Sequence, residues 1–288
     1  MKQDLLKEIQ DRLSTMSKGQ RAIGHFIVHN YDKAAFMTAA RLGTQVGVSE
    51  STVVRFAIAM GYEGYPELQD SLRELIRNKL TAVQRIEITN ERMGDGNILS
   101  RVLSSDIDKI KHTMDTVDRA AFESAIDHLV GARRIYIIGM RSSSVLSNFI
   151  YYYFRLIFDN VTLVQTTSGS EIFEQMLRIG EQDAVFAASF PRYSRRIVNA
   201  VDYARSQGAK IIALTDSAMS PIAVNADSLL LALSDMASFV DSLVAPLSLV
   251  NALIVAIAKR KQEEIGDTFK RLEEIWDEYE VYDKEGSR

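Results

Sequence analysis

Hydrophobic and polar positions follow two rhythms along the chain. Up to about residue 77 apolar side chains recur only at helical spacing: Leu5, Leu6, Ile9 and Leu13 make one stripe, and Ile23, Phe26 and Ile27 another, on a segment from Lys18 to His29 that Ser17 is placed to cap. After Tyr31 to Phe36, the stretch Thr38 to Gly61 predicts a helix through Val46, a tight turn at Gly47-Val48, an N-cap at Ser49 and a second helix to Met60. Ala39, Leu42, Val48, Val53, Val54 and Ala57 would then face inward, leaving Ser49, Glu50, Ser51, Thr52 and Arg55 on the exposed start of the second helix. This is the helix-turn-helix plan, although an ordinary helical hairpin has the same pattern.

Leu68 to Arg92 is charged and helical in pattern, and Met93-Gly-Asp-Gly-Asn97 breaks it, so residues 78–105 are expected to link two domains. Leu99 to Leu129 reads as two helical blocks, the second capped by Asp118. His112 and His128 lie here without a third ligand beside them, Asp108 sharing a face with His112, and both are expected at the surface rather than on a metal. From Arg133 the rhythm changes. Short β-branched runs (Ile135 to Ile138, Val161 to Val164, Ala184 to Ala188, Lys210 to Leu214, Ser228 to Leu231) alternate with helical stretches (Val145 to Phe158, Glu171 to Ile179, Arg195 to Ser206, Phe239 to Lys261), which predicts a parallel sheet flanked by helices. Three strands lead into polar turns, at Met140-Arg-Ser-Ser-Ser144, Ser189-Phe-Pro-Arg-Tyr-Ser194 and Asp216-Ser-Ala-Met-Ser220, with Pro221 at an expected helix start. Carboxyl ends of neighbouring parallel strands line one crevice, here furnished with hydroxyls and arginines. Beyond Lys261 the chain is mostly charged, and Ile265, Phe269, Leu272, Trp276 and Tyr279 form one narrow apolar stripe on a terminal helix.

A length of 288 residues suits two domains, and the 47% hydrophobic content is enough for two cores. The absence of cysteine excludes disulfides and thiolate nucleophiles and fits the cytoplasm. The amino terminus reads as an amphipathic start rather than a signal peptide, and no apolar run is long enough to span a bilayer. A net charge of −4 argues against a generic polyanion binder. Residues 1–80 hold 11 Lys and Arg against 9 Asp and Glu, so a DNA-binding domain here would need a second copy to collect enough phosphate contacts.

Three strings, Ser17-Lys-Gly-Gln-Arg-Ala-Ile, Gly47-Val-Ser-Glu-Ser-Thr-Val-Val-Arg-Phe and Met60-Gly-Tyr-Glu-Gly-Tyr-Pro-Glu-Leu, resemble the amino-terminal domain of RpiR/MurR-type bacterial transcription regulators over residues 1–77. The resemblance implies that the second helix reads DNA, with Ser51, Thr52 and Arg55 at base edges and Lys18, Arg21 and Tyr65 as phosphate contacts. Gly139-Met-Arg-Ser-Ser143, the run Asp183 through Ser189, and Ile212-Ala-Leu-Thr215 with Ser220-Pro-Ile-Ala223 and Ala226-Asp227 resemble a sugar isomerase (SIS) domain, with its core at residues 122–260 of a domain at 106–288. This implies a phosphate held by loop hydroxyls and helix-start amides, through Ser142, Ser143, Ser189 and Ser194. Two departures stand out: Arg141 and Arg192 occupy positions where the family usually has glycine, and Pro191 replaces a hydroxyl. Each arginine adds a charged fork suited to phosphate or carboxylate, unless Arg192 instead pairs with Asp183, Asp216 or Asp241. The expectation is a DNA-binding regulator responding to a phosphosugar or related anionic sugar, with an operator duplex as partner, a homodimer or higher homo-oligomer as its state, and no catalytic residue, cofactor or metal. The alternative is a phosphosugar isomerase, for which Glu171 and Glu174 are the candidate bases.

Overall fold

The computed structural model describes residues 5–79, 81, 83–86, 97–165, 168, 170–235 and 240–282. The chain divides into two units, residues 1–87 and 88–288, at a point inside the stretch expected as linker. The predicted break at 93–96 lies outside the described residues.

The first unit is helical: α1 (Leu5–Arg12), α2 (Lys18–His29), α3 (Tyr31–Ala34), α4 (Ala39–Val46), α5 (Glu50–Ala59) and α6 (Tyr65–Lys79). Local chemistry sets the boundaries. Ser17 starts α2 through a capping box in which its hydroxyl accepts from the Gln20 amide while the Gln20 side chain accepts from the Ser17 amide. The Thr38 hydroxyl accepts from the Arg41 amide at the start of α4. Gly47, at φ +75°, ends α4 in the left-handed region. A Cβ on Gly43 would sit 2.8 Å from the Val48 carbonyl oxygen, so this glycine permits the tight α4–α5 approach. Ile9, Ile23, Ile27, Leu42, Val53, Phe56, Ala57, Leu68 and Leu72 are fully buried between these helices. Burying an aliphatic or Phe side chain contributes about 1.5–3 kcal/mol, and this core holds the turn between α4 and α5 in place.

In the second unit α7 (Ile98–Thr116) is capped by Asn97, and α8 (Arg119–Val130) by Asp118, whose carboxylate accepts from the Ala120 and Ala121 amides. There follow β1 (Arg134–Gly139), α9 (Ser144–Ile157), β2 (Val161–Val164), α10 (Glu171–Gln175), β3 (Asp183–Ala188), α11 (Arg195–Ser206), β4 (Lys210–Thr215), β5 (Ser228–Leu231), α12 (Val244–Arg260) and α13 (Gln262–Glu278). The sheet is parallel throughout, in the order β2-β1-β3-β4-β5, with Ile135 opposite Ala184 and Val185 opposite Ile211. Alternate residues of each strand face opposite cores. Ile135, Ile137, Ala184, Phe186 and Ile212 join Leu146, Ile150, Phe154, Leu253 and Ile257 from α9 and α12. Tyr136, Ile138, Val185, Ala187 and Ile211 join Ile172, Met176, Ile197 and Val201 on the other face. Every β3 residue is buried, as a central parallel strand requires.

Three helix boundaries differ from the sequence expectation. The helix after Ser170 ends at Gln175, and residues 176–178 continue as turns, because Met176 and Ile179 drop into the core beneath it. Pro221 begins no helix: only a 3-10 turn, Ala223–Asn225, separates β4 from β5. The helix expected from Phe239 begins at Val244, since Asp241 is in a bridge and the Ser242 amide and hydroxyl bond outside it.

Candidate functional site

The strand order reverses between β1 and β3, and a parallel sheet opens a ligand crevice outside the carboxyl ends of strands at such a point. The loop after β1 is short because Gly139 admits no side chain: a Cβ there would lie 2.6 Å from the Ser143 carbonyl oxygen and 2.8 Å from the Ser147 hydroxyl. The chain therefore turns at once into a 3-10 turn, Arg141–Ser143, continuous with α9. The Ser144 hydroxyl donates to the Arg141 carbonyl at 2.6 Å, fastening that turn. The loop after β3 runs from Ser189 to Ser194 and enters α11.

The two loops meet. Arg141, Ser142, Ser143, Ser189, Arg192 and Ser194, the six residues expected to hold the ligand, all line one small cavity of about 40 Å³, together with Met140, Phe190, Pro191, Ile197 and Asp241. Ser143 and Ser189 are buried, yet their hydroxyls make no hydrogen bond among the described residues. Ser194 precedes α11, but its hydroxyl makes no cap bond and instead meets the Met140 sulfur at 3.8 Å, a weak partner. Met140, Arg141 and Ser194 also line a larger cleft of about 720 Å³, with Gly139, Ser144, Val164, Gln165, Arg195 and Arg196. A nook lined by hydroxyl residues beside a cleft in the size range of small-molecule pockets suits a ligand with an anionic head and a larger body.

Arg141 and Arg192 have φ of +57° and +63°, two of the three non-glycine residues in the left-handed region among those described. Both stand where glycine is usual in the family that the sequence resembles, and both keep the glycine backbone. A β-carbon in that region costs roughly 1–2 kcal/mol, and such strain clusters at ligand clamps. Of the acids weighed as partners of Arg192, Asp183 lies at the opposite end of β3 and accepts from Arg133 at 2.9 and 2.7 Å and from the Gly180 amide at 2.9 Å. Asp216 accepts from the Tyr193 hydroxyl at 2.9 Å, and Asp241 shares the cavity with Arg192. Arg195 and Arg196, which sequence reasoning passed over, bring two more guanidinium groups to the cleft. Their signal was their place in the first turn after a ligand loop. Glu171 and Glu174 are exposed on α10, and neither lines the nook or the cleft.

In the first unit, Ser51, Thr52 and Arg55 lie in the first two turns of α5, as expected. Ser49 precedes them without a side-chain cap bond; its hydroxyl lies 2.9 Å from that of Ser51 and 2.8 Å from that of Thr52. The Arg55 guanidinium folds back on the Ser51 carbonyl at 3.2 Å and the Thr52 hydroxyl at 3.5 Å. A Cβ on Gly19 would sit 3.3 Å from the Thr52 methyl, so the start of α2, with exposed Lys18 and Arg21, abuts the start of α5. Tyr65 does not join this surface. It is 3% exposed and its hydroxyl faces the carbonyl oxygens of Met37 at 2.9 Å and Ala34 at 3.2 Å. Burial, with the Arg73 charge opposing it, pushes the phenol up to about 12. The phosphate contact expected of Tyr65 is therefore corrected to a structural bond anchoring α6 to the α3–α4 connection.

His112 is exposed, whereas His128 is half-buried, its Nδ1 3.1 Å from the Ser228 hydroxyl. Among the described residues no group of His, Asp and Glu forms a metal site, and no helix is long and apolar enough to cross a membrane.

The fold and crevice define a two-part regulator class, a helix-turn-helix unit joined to a sugar-isomerase-type sheet domain. Family models agree: the rpiR-family helix-turn-helix domain matches residues 3–79 and the SIS domain residues 128–256. The chain belongs to the RpiR family of transcription regulators. It is 27% identical over 279 residues to the HTH-type transcriptional regulator HexR of Escherichia coli K12, covering 94% of this chain and 93% of that one. It is 25% identical to HexR of Pseudomonas aeruginosa, covering 94% and 95%. Among solved structures, NanR of Vibrio vulnificus, complexed with ManNAc-6P, superposes with a TM-score of 0.59 at 21% identity over 94% of this chain and 97% of NanR. The sugar isomerase domain of an RpiR transcription factor from Sphaerobacter thermophilus superposes with a TM-score of 0.58 at 26% identity over 61% and 97%.

Proposed function

We propose that this chain is a cytoplasmic, homodimeric transcription regulator whose crevice senses a phosphosugar or related anionic sugar metabolite and alters operator binding without turnover. The observation that carries the reading is the convergence of Ser142, Ser143, Ser189 and Ser194 with Arg141 and Arg192 around one nook that opens beside a sugar-sized cleft. A phosphate in the nook would take bonds from the unpartnered hydroxyls of Ser143 and Ser189 and charge from the two arginines, while the sugar body would lie toward Gln165, Arg195 and Arg196. NanR, solved with ManNAc-6P, supports the ligand class. On the helical unit, Ser51, Thr52 and Arg55 would meet base edges and Lys18 and Arg21 the adjoining phosphates.

A thermal-shift screen of sugar phosphates and acidic sugars tests the ligand, because a compound that binds only the native state raises the melting temperature. The true effector should stabilise the chain and change retention of an operator fragment. Proton exchange of the same compound in deuterated water, without DNA present, would instead favour the isomerase.

The dimer reading rests on α7. Leu99, Leu103, Ile107, Ile110 and Met114 fall at steps of four, four, three and four, and all are exposed, with Leu103 at 53% and Met114 at 63%. Such a row buries itself against a like surface, and a second copy also doubles the phosphate contacts of the helical unit.

A further inference from the structure

Asp241 is the one carboxylate among the described residues that line the nook and the cleft. It shares a cavity of about 40 Å³ with Arg141, Arg192 and the hydroxyl residues Ser143 and Ser189, where an incoming anion would sit. On the reading of this crevice as an anion site, we propose that Asp241 is its resident anion, held by the nook when the effector is absent and displaced when the effector phosphate arrives.

The chemistry is competitive. A carboxylate and a phosphate seek the same guanidinium forks and hydroxyl donors, and two anions confined in so small a space repel. The phosphate brings more charge and a third oxygen, and so prevails at sufficient concentration.

Displacing Asp241 has a structural consequence, because its neighbour is fastened elsewhere. Ser242 is buried, and its hydroxyl donates to Asp106 on α7 at 2.6 Å. Asp106 also pairs with the buried Lys109, whose ammonium donates to the Ser105 hydroxyl at 2.6 Å. A second link ties the stretch just after β5 to the same helix, the Leu233 amide donating to the Thr113 hydroxyl at 3.0 Å. Moving Asp241 out of the nook therefore pulls on the Ser242–Asp106 bond and on α7. Asp241 thus sets effector affinity and starts the conformational response, and its negative charge makes the pocket selective against weakly charged ligands.

The test uses the full chain and inorganic phosphate as probe. Isothermal titration of parent, Asp241→Asn, Arg192→Ala and Asp241→Ser is read beside hydrogen exchange of residues 98–116. Removing the resident charge should tighten phosphate about tenfold in Asp241→Asn, in the range of typical coupling effects, and Asp241→Ser should show the same direction. The amides of α7 in ligand-free Asp241→Asn should exchange like those of phosphate-saturated parent. Unchanged or weaker phosphate binding in both neutral variants, with Arg192→Ala losing it, would overturn the role of Asp241 and leave the anion site standing. No phosphate binding by parent or by any variant overturns both. Failure of both neutral variants to fold makes Asp241 structural and likewise ends the proposal.

Discussion

Arg192 carries two properties that substitutions separate. The residue lines the nook, and its backbone sits at φ +63°. Arg192→Ala and Arg192→Gly should both lose the melting shift produced by the effector, but only the glycine variant relieves the backbone, raising stability by about 1 kcal/mol. Denaturant midpoints of the two variants against parent check this; equal destabilisation by both would mark Arg192 as a structural ion-pair partner. Tyr65 gives a pH-dependent case. Tyr65→Phe removes the hydroxyl bond to the Met37 and Ala34 carbonyls, which keep the Gln69 side chain and the Met37 amide as donors, and should cost about 1 kcal/mol at neutral pH. With a folded value of about 12 against the ordinary 10.0, native Tyr65 holds its proton more tightly than the unfolded chain does. That stabilisation is complete below the unfolded value and drains as pH rises through the folded one. The gap between parent and Tyr65→Phe should therefore narrow above pH 10, read as urea midpoints of the α6 amides. These residues also show where sequence stops being legible. The Ser17 cap follows from a three-residue spacing, and Arg141 and Arg192 were visible as departures from a glycine pattern. The burial of Tyr65 depends on α3 and α4 folding over it, which no local pattern encodes.

Elements were legible where periodicity alone decides them. All five strands fall where alternating β-branched runs placed them, since a buried parallel strand needs an unbroken apolar run. The boundaries that failed are those that tertiary bonds set. Met176 and Ile179 keep helical spacing after Gln175 yet leave the helix to fill a core, and the start of α12 is deferred because Ser242 bonds Asp106. For α5, Arg55→Ala should weaken specific operator binding by about 1–3 kcal/mol while leaving the fold intact. Competition binding against random DNA checks it, and equal loss on both sequences would reassign Arg55 to a phosphate. The β4–β5 junction rests on Asp227. Burial opposes its charged form, but the Ile211 amide at 2.9 Å, Arg205 at 2.8 Å and Lys210 at 3.3 Å outweigh burial and hold the carboxyl below its ordinary range. A lowered folded value gives stability that is present above the unfolded pKa and lost as pH falls through the folded one. Asp227→Asn should be less stable than parent at neutral pH, and the difference should shrink in acid. A difference that persists in acid would point to packing rather than charge.

At the scale of the molecule, the exposed row on α7 predicts assembly. Ile107→Glu should yield monomers in light scattering at micromolar concentration and reduce affinity for a two-half-site operator, with the secondary structure retained. An unchanged dimer would move the interface to another face. The two-domain plan could be read from the change of rhythm near residue 130, and the family from three short strings. That the ligand loops share one crevice could be read from the strand ends, but the adjacency of β1 and β3 that brings residues 141 and 192 to one nook could not.

The left-handed backbones at Arg141 and Arg192 bear on how such a pocket changes over generations. Glycine and arginine codons differ by a single base at the first position, and both positions already hold a backbone that glycine adopts freely. A point mutation can therefore strip either guanidinium from the crevice, or restore it, without rebuilding the loop. A pocket open for neutral sugar contacts and one fenced by two positive forks lie one or two nucleotide changes apart, so ligand preference can drift in this scaffold while the operator-reading surface stays untouched.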